Sequence, residues 1–164
     1  MVNVNTIQSG TVFAWFMLIM VIRRFVMLLV AGVSGRNRPF PTGSRVPEDS
    51  ILKRKAQVDA STTETVHVEF TKDARVNKTI GNDSENDTYF LILLLATAVF
   101  SDGISRNSTR TIVYGLIYLV ARSFYALAYI MALQPWRTLT YVLGFACTLA
   151  CSLDLVITMS RRPN

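Results

Sequence analysis

Five polar side chains recur at helical spacing between residues 75 and 86. Their separations of i, i+3, i+7, i+10 and i+11 place them on one face of a single helix. In chain order they are Arg75, Lys78, Asn82, Glu85 and Asn86. Cations, one carboxylate and amides on one face suit a small anionic ligand that also carries an amino group. The alternative interpretation is a solvated face on a helix that leads into a membrane.

A second polar row runs through an otherwise apolar segment. It consists of Tyr118, Arg122, Tyr125 and Tyr129, at i, i+4, i+7 and i+11. A charge in the middle of a membrane helix costs at least about 2.5 to 3.5 kcal/mol, so Arg122 is expected to face a partner or a water-filled cavity. The alternative is that Arg122 pairs with Glu85 or Asp154 and only locks helices together.

The third group of residues that could take part in binding or catalysis lies in a turn. Its sequence is Gln134-Pro135-Trp136-Arg137-Thr138, in which the proline ends one helix or opens the next. Arg137 and Thr138 then stand at the N-terminus of the last helix, where free N–H groups and the helix dipole favour an anion. We therefore expect a set of charged side chains to converge near one membrane face, namely Lys78, Glu85, Arg122 and Arg137.

The composition supplies long helices to carry these groups. Only 17% of the residues are charged, 51% are hydrophobic and the mean hydropathy is +0.33, whereas soluble domains average roughly 25% charged residues. Three apolar runs, 12–33, 112–133 and 139–159, are long enough for the roughly 20 residues that span a bilayer. A shorter run, 89–100, continues the polar row that begins at residue 75. We predict one all-α membrane domain, 1–164, a bundle of four transmembrane helices at about 11–34, 75–101, 111–133 and 138–160, with a loop at 35–74.

Basic residues orient this bundle. Nine Lys and Arg residues lie between positions 36 and 78, against two in 101–110 and two in the C-terminal tail. Since cytosolic loops of membrane proteins are rich in Lys and Arg, the first loop is predicted to be cytosolic. The net charge of +6 is explained in the same way, without a nucleic-acid partner.

Two pairs of residues bear on the interior of the bundle, and a lone histidine bears on metal binding. Arg23 and Arg24 are adjacent and point about 100° apart on a helix, so at least one of them is expected to reach the bundle interior. Cys147 and Cys151 lie in an apolar run and are interpreted as buried packing residues. His67 is the only histidine, and no Cys/His cluster predicts a metal site.

Four short motifs occur in an order that resembles one known family. They are Val46-Pro47-Glu48-Asp49, Asn82-Asp83-Ser84-Glu85-Asn86, Arg122 followed by Ala128-Tyr129, and Gln134-Pro135-Trp136-Arg137. They resemble the N-P-E-D, N-D-x-E-N, G-R-x-x-H-x-x-A-Y and Q-P-x-R elements of the MAPEG family (membrane-associated proteins in eicosanoid and glutathione metabolism), and the microsomal glutathione S-transferases within it most closely. The chain departs from the pattern at Gly81, at Ala121 in place of a glycine and at Tyr125 in place of a histidine.

The resemblance implies a homotrimer that binds glutathione, its co-substrate, between neighbouring subunits near the cytosolic face. Carried over motif by motif, the residues that bind glutathione are Arg75, Lys78, Asn82, Glu85, Arg122, Tyr125 and Tyr129. Arg137 and Thr138 would be the catalytic residues beside the sulfur. Glu85 would hold the amino group of glutathione, and the carboxylates would be held by Arg75, Lys78 and Arg122.

The activity implied by the resemblance is conjugation of the glutathione thiolate to hydrophobic electrophiles, together with reduction of lipid hydroperoxides. The expected location is the endoplasmic reticulum membrane, or also the mitochondrial outer membrane, with membrane lipid around the helices. The alternatives are a glutathione-dependent eicosanoid (prostaglandin E) synthase and a non-catalytic lipid-binding member of the family. A four-helix scaffold or channel subunit, whose polar rows join helices, is a further alternative.

Overall fold

The computed structural model describes residues 7–34, 72–105 and 107–161, and these ranges contain four long helices. The helices are α1 (Ser9–Ser34), α2 (Lys72–Ala96), α3 (Thr109–Ile130) and α4 (Trp136–Ser160). A π-helical stretch, Thr97–Asp102, and one further turn, Gly103–Ser105, continue α2. Most of the predicted loop 35–74, including the motif at 46–49, lies outside the described residues.

The predicted all-α fold is confirmed for the described residues. Three of the four long helices, α1, α3 and α4, are long and apolar enough to cross a membrane. α2 is not among them, because its first half carries the polar row that begins at residue 75.

The end of α3 differs from the sequence-based range, which extended to residue 133. The helix stops at Ile130 because Ala132 adopts a left-handed conformation with φ of 56°. Leu133 N donates to the carbonyl oxygen of Ala128 (2.8 Å), and Ala132 N donates to that of Tyr129 (3.2 Å). This is the Schellman pattern, which satisfies the last helical carbonyls and turns the chain sharply. α4 consequently begins at Trp136, two residues earlier than expected.

The core lies where α1, α2 and α3 meet and is built around stacked rings. The rings of Phe90 and Tyr118 are parallel, with centroids 3.7 Å apart, and Phe16 meets Phe90 edge-on at 5.9 Å. Towards the α3–α4 turn a second cluster contains Met27, Val76 and other buried residues. The outward faces of α1, α3 and α4 are apolar, as expected for helices whose solvent is lipid.

Buried hydroxyl, carboxylate and thiol groups join the helices at the end of the bundle away from the α3–α4 turn. Ser9 Oγ donates to the carbonyl oxygen of Ala98 (2.8 Å), and Asp102 Oδ2 accepts from both N and Oγ1 of Thr111 (2.8 Å each). Cys147 and Cys151 are free and buried, which confirms their interpretation as packing residues. This end of the bundle is therefore fixed by local interhelical bonds.

Substitution of Gly115 tests the packing of α1 on α3. A Cβ atom at this buried glycine would lie 3.0 Å from Phe16 Cδ2 and 3.6 Å from Leu94 Cδ2. We expect Gly115→Leu to lower the free energy of unfolding by about 1–3 kcal/mol through overpacking, measured by thermal unfolding in detergent. Gly32→Leu is the matched control, because nothing lies within 4 Å of a Cβ there. Equal stability of the two variants would contradict this packing.

Candidate functional site

The polar centre of the bundle is the guanidinium of Arg122, which is 1% exposed. Its Nη2 donates to Asn82 Oδ1 (2.8 Å) and to Asp83 Oδ1, both on α2. A Cβ atom on Gly144 of α4 would lie only 3.3 Å from Arg122 Cδ, so the glycine makes room for the arginine stem. Arg122 therefore faces partners inside the bundle, as its position in the middle of α3 predicted.

The partners differ from both pairs suggested by the sequence. Glu85 is exposed and forms no ion pair with any described residue. Asp154 pairs with Arg110 (3.5 Å) at the other end of the bundle. The suggested Arg122–Glu85 and Arg122–Asp154 pairs are both wrong, because the rotation of α2 turns Asp83, not Glu85, towards α3.

A second arginine enters the same centre from α1. Arg23 donates through Nη2 to Asp83 Oδ2 and through Nη1 to Asp87 Oδ2 (3.3 Å). The prediction that at least one of the two adjacent arginines reaches the interior is confirmed. Arg24 points to the edge of the bundle, where it donates to Ser84 Oγ (2.6 Å) and to the carbonyl oxygen of Ile80 (3.2 Å).

Asp87 completes this centre. Its Oδ1 accepts a hydrogen bond from the Tyr118 hydroxyl (2.9 Å) and lies 3.8 Å from Arg122 Nε. We refer to the set as the buried charge cluster, whose members are Arg23, Asp83, Asp87, Tyr118 and Arg122. The charged side chains are between 2% and 17% exposed, and two guanidiniums balance two carboxylates.

Asp83 and Asp87 were not predicted as site residues. The polar row on the neighbouring face of α2 is the more conspicuous pattern in the sequence. The two aspartates are four residues apart and lie in helical register with Val76, Phe90 and Leu94, all of which are fully buried. Two carboxylates in register with an apolar stripe are the signal that would have found them, because that stripe must face the core.

A row of aromatic rings extends from the cluster towards the α3–α4 turn. Arg122 Cζ lies 4.7 Å from the ring centroid of Tyr125, and that ring is 5.7 Å from Tyr129 and 5.8 Å from Tyr141. Arg137 Cζ lies 5.0 Å from the Tyr129 centroid. We call Tyr125, Tyr129 and Tyr141 the tyrosine row. Tyr141 is a further residue that the sequence analysis did not single out.

The structure brings together some of the predicted site residues. A continuous path of hydrogen bonds and ring contacts joins Asn82, Arg122, Tyr125, Tyr129 and Arg137. The others lie apart from this path. Lys78, Glu85 and Thr138 are exposed, and Arg75 is half-buried in the first turns of α2.

The start of α4 differs from the sequence-based expectation that its first N–H groups are free to bind an anion. The backbone N–H groups of Arg137 and Thr138 are not free, since they donate to the carbonyl oxygens of Leu133 (3.1 Å) and Pro135 (3.0 Å). The tight turn at the end of α3 places those carbonyls within reach. An anion at this position would therefore be bound by side chains. Arg137 suits that role because it is half-buried and forms no ion pair with a carboxylate in the described ranges.

Removal of Asp83 tests the buried charge cluster. Asp83→Ala would leave two buried guanidiniums with one carboxylate, so we expect the free energy of unfolding to fall by about 3–5 kcal/mol. The matched control is Asp154→Ala, which breaks a half-exposed pair and should cost less than about 1 kcal/mol. Thermal unfolding in one detergent compares the two, and an equal loss would contradict the central role of Asp83.

Comparison with known proteins agrees with this architecture. The sequence model of the MAPEG family matches residues 10–157, which is most of the chain and includes all four long helices in whole or in large part. No protein of curated function matches the chain. The matched residues include α2 with its two inward-facing aspartates, α3 with Arg122, and the turn before Arg137. The chain belongs to the MAPEG family of membrane proteins.

Proposed function

We propose that this protein is a glutathione transferase that forms the glutathione thiolate beside Arg137 and transfers it to hydrophobic electrophiles. The family includes glutathione transferases, eicosanoid synthases and other members, so membership alone leaves the activity open. The observation that carries the proposal is the guanidinium of Arg137. It is held against the Tyr129 ring at 5.0 Å, and among the described residues no carboxylate neutralises it.

A cation in this setting can do the required chemistry. A free thiol has a pKa of about 8.5, and the thiolate is the nucleophile. Lowering the pKa of the glutathione thiol by two units needs about 2.7 kcal/mol of preference for the anion. A guanidinium beside the sulfur, partly shielded from water by aromatic rings, can supply an interaction of this size. Thr138, next to Arg137, is proposed to assist it through its hydroxyl group.

The outer face of α2 supports binding of the rest of glutathione. Asn82 of α2 contacts Arg122, which lies eight residues before the end of α3. Asn82 is therefore at a depth of about 12 Å from that end of the helix. Glu85 is almost one turn deeper and exposed in the single chain. A carboxylate facing lipid at this depth would be costly, so it needs a polar partner or a cover of protein.

A second copy of the chain is the cover that we propose. α2 then acts as the fourth membrane span, with its polar face turned to a neighbouring subunit in a homotrimer. Glutathione would bind in that interface, with Glu85 on its amino group and Arg75 and Lys78 on its carboxylates. Arg122 is already neutralised within the buried charge cluster, so we assign it to holding Asn82 and Tyr125 in place for the ligand.

The proposed reaction is attack of the thiolate on an electrophilic carbon, forming a C–S bond as the leaving group departs. In the accompanying peroxidase activity the same thiolate would attack the hydroperoxide oxygen and release the lipid alcohol. A second glutathione would then reduce the resulting sulfenic acid, giving glutathione disulfide and water. The apolar outer faces of α1 and α4 would give lipid-soluble substrates access from the bilayer. We place the protein in the endoplasmic reticulum membrane, with the first loop in the cytosol.

Ultraviolet difference absorbance near 240 nm tests the thiolate. We expect a stoichiometric thiolate signal when glutathione is added to the purified protein at neutral pH, and loss of most of that signal in Arg137→Ala. Arg161→Ala is the matched control, because Arg161 is an exposed arginine just beyond the other end of α4. If the wild type shows neither a signal nor saturable glutathione binding, the transferase is excluded and a lipid-binding role or a scaffold is favoured.

The size of the solubilised particle tests the assembly. We expect a protein mass of three chains, each of 18.4 kDa, after subtraction of bound detergent. The physical reason is the polar face of α2, which a lone chain would leave against lipid. Light scattering combined with refractive index and absorbance measures this mass. A stable particle of one chain that still binds glutathione would contradict a site formed between subunits.

A further inference from the structure

Asp87 is a largely buried carboxylate to which the proposed reaction gives no role. It lies one turn beyond Asp83 along α2, and its side chain is 17% exposed. Three groups from two other helices face it: Arg23 Nη1 at 3.3 Å, the Tyr118 hydroxyl at 2.9 Å and Arg122 Nε at 3.8 Å. It is thus the carboxylate of the buried charge cluster that lies beside the apolar core, where Phe90 stacks on Tyr118.

Charge balance gives this carboxylate a specific task. Asp83 is shared between two guanidiniums, so by itself it leaves one positive charge without a counter-ion. Within the described residues, Nε of both Arg23 and Arg122 lacks a hydrogen-bond acceptor. Asn82 and Asp83 both contact Nη2 of Arg122, whereas Asp87 is the carboxylate on its Nε side, 3.8 Å away.

The orientation of Arg122 matters because aromatic contacts transmit it. Its guanidinium lies over the ring of Tyr125, and that ring contacts the ring of Tyr129. The guanidinium of Arg137 packs on the ring of Tyr129. These contacts form a path from the interior of the bundle to the first turn of α4. A rotation of Arg122 would displace the rings that hold Arg137.

We propose that Asp87 is a positioning residue, whose carboxylate fixes Arg122 and thereby sets the place of Arg137 through Tyr125 and Tyr129. Arg23 is its charge partner on α1. The consequence for catalysis rests on the proposed function, whereas the placement of Arg137 does not. The two parts can therefore be tested separately.

The placement is tested through Trp136, which adjoins Arg137. The chain has two tryptophans, and Trp15→Phe at an exposed site on α1 leaves Trp136 as the sole emitter. In this background Asp87→Asn should shift the Trp136 emission maximum and raise its quenching by acrylamide. Asp154→Asn, which removes a carboxylate at the other end of the bundle, should change neither.

A compensating variant separates charge balance from simple loss of packing. In Arg23→Gln/Asp87→Asn the cluster is neutral again, and Asp83 is no longer shared between two guanidiniums. We expect the Trp136 emission and quenching to return to the parent values. If Asp87→Asn leaves Trp136 unchanged, or if the double variant is displaced as far as the single one, the positioning role is overturned.

Tyr118→Phe serves if Asp87→Asn does not fold. It removes only the hydrogen bond to Asp87 and retains the ring stack with Phe90. It should change the emission maximum and the acrylamide quenching of Trp136 in the same direction as Asp87→Asn, by a smaller amount. A Tyr118→Phe protein with unchanged Trp136 emission and quenching would also overturn the proposal.

The catalytic consequence is measured with glutathione. Asp87→Asn should lower the thiolate signal per bound glutathione, and kcat, by about tenfold or more, because small displacements of a catalytic group are costly. The Kd of glutathione should rise by a smaller factor than kcat falls, since Arg75, Lys78 and Glu85 on α2 do not depend on Arg122, and the double variant should recover kcat. A wild type that binds no glutathione would refute the proposed function, while the Trp136 measurement would still decide the role of Asp87.

Discussion

The carboxylate of Asp83 holds three helices at one point. It belongs to α2, and it accepts hydrogen bonds from Arg23 of α1 and Arg122 of α3. In a hydrocarbon environment a buried guanidinium without a partner would be very costly, so the relative position of these helices cannot change without separating charges. Val76, Phe90 and Leu94 lie on the same face of α2 as Asp83, so the apolar core and the shared carboxylate favour the same rotation of this helix.

This constraint also divides the charges of α2 into two classes. Asp83 and Asp87 face inward and are neutralised within the chain, so they contribute to the arrangement of the bundle. Lys78 and Glu85 face outward and are exposed in the single chain. The polar half of α2 can therefore serve the fold and a ligand at once, because different faces of one helix carry the two roles.

Arginine is used in two ways along the same path. Arg122 is buried and paired, whereas Arg137 is half-buried and rests on a ring without a carboxylate partner among the described residues. A guanidinium that stacks on an aromatic ring keeps most of its charge available to an anion, while its position is restricted. The tyrosine row thus links a group that stabilises the bundle to a group that is suited to bind a negatively charged ligand.

The sequence by itself determined the four helices, to within a few residues at most ends, because long apolar runs and helical spacing are local properties of the chain. It also identified Arg122 and Arg137 as residues that need an explanation. Only the tertiary structure decided which carboxylate pairs with Arg122. Asp83 and Glu85 are two residues apart, hence about 200° apart around α2, and the packing of Phe90 and other apolar residues sets which of them turns inward. Whether the N–H groups at the start of α4 are free likewise depends on the turn after α3, in which Ala132 is left-handed. An alanine at this position carries no sequence signal for that conformation.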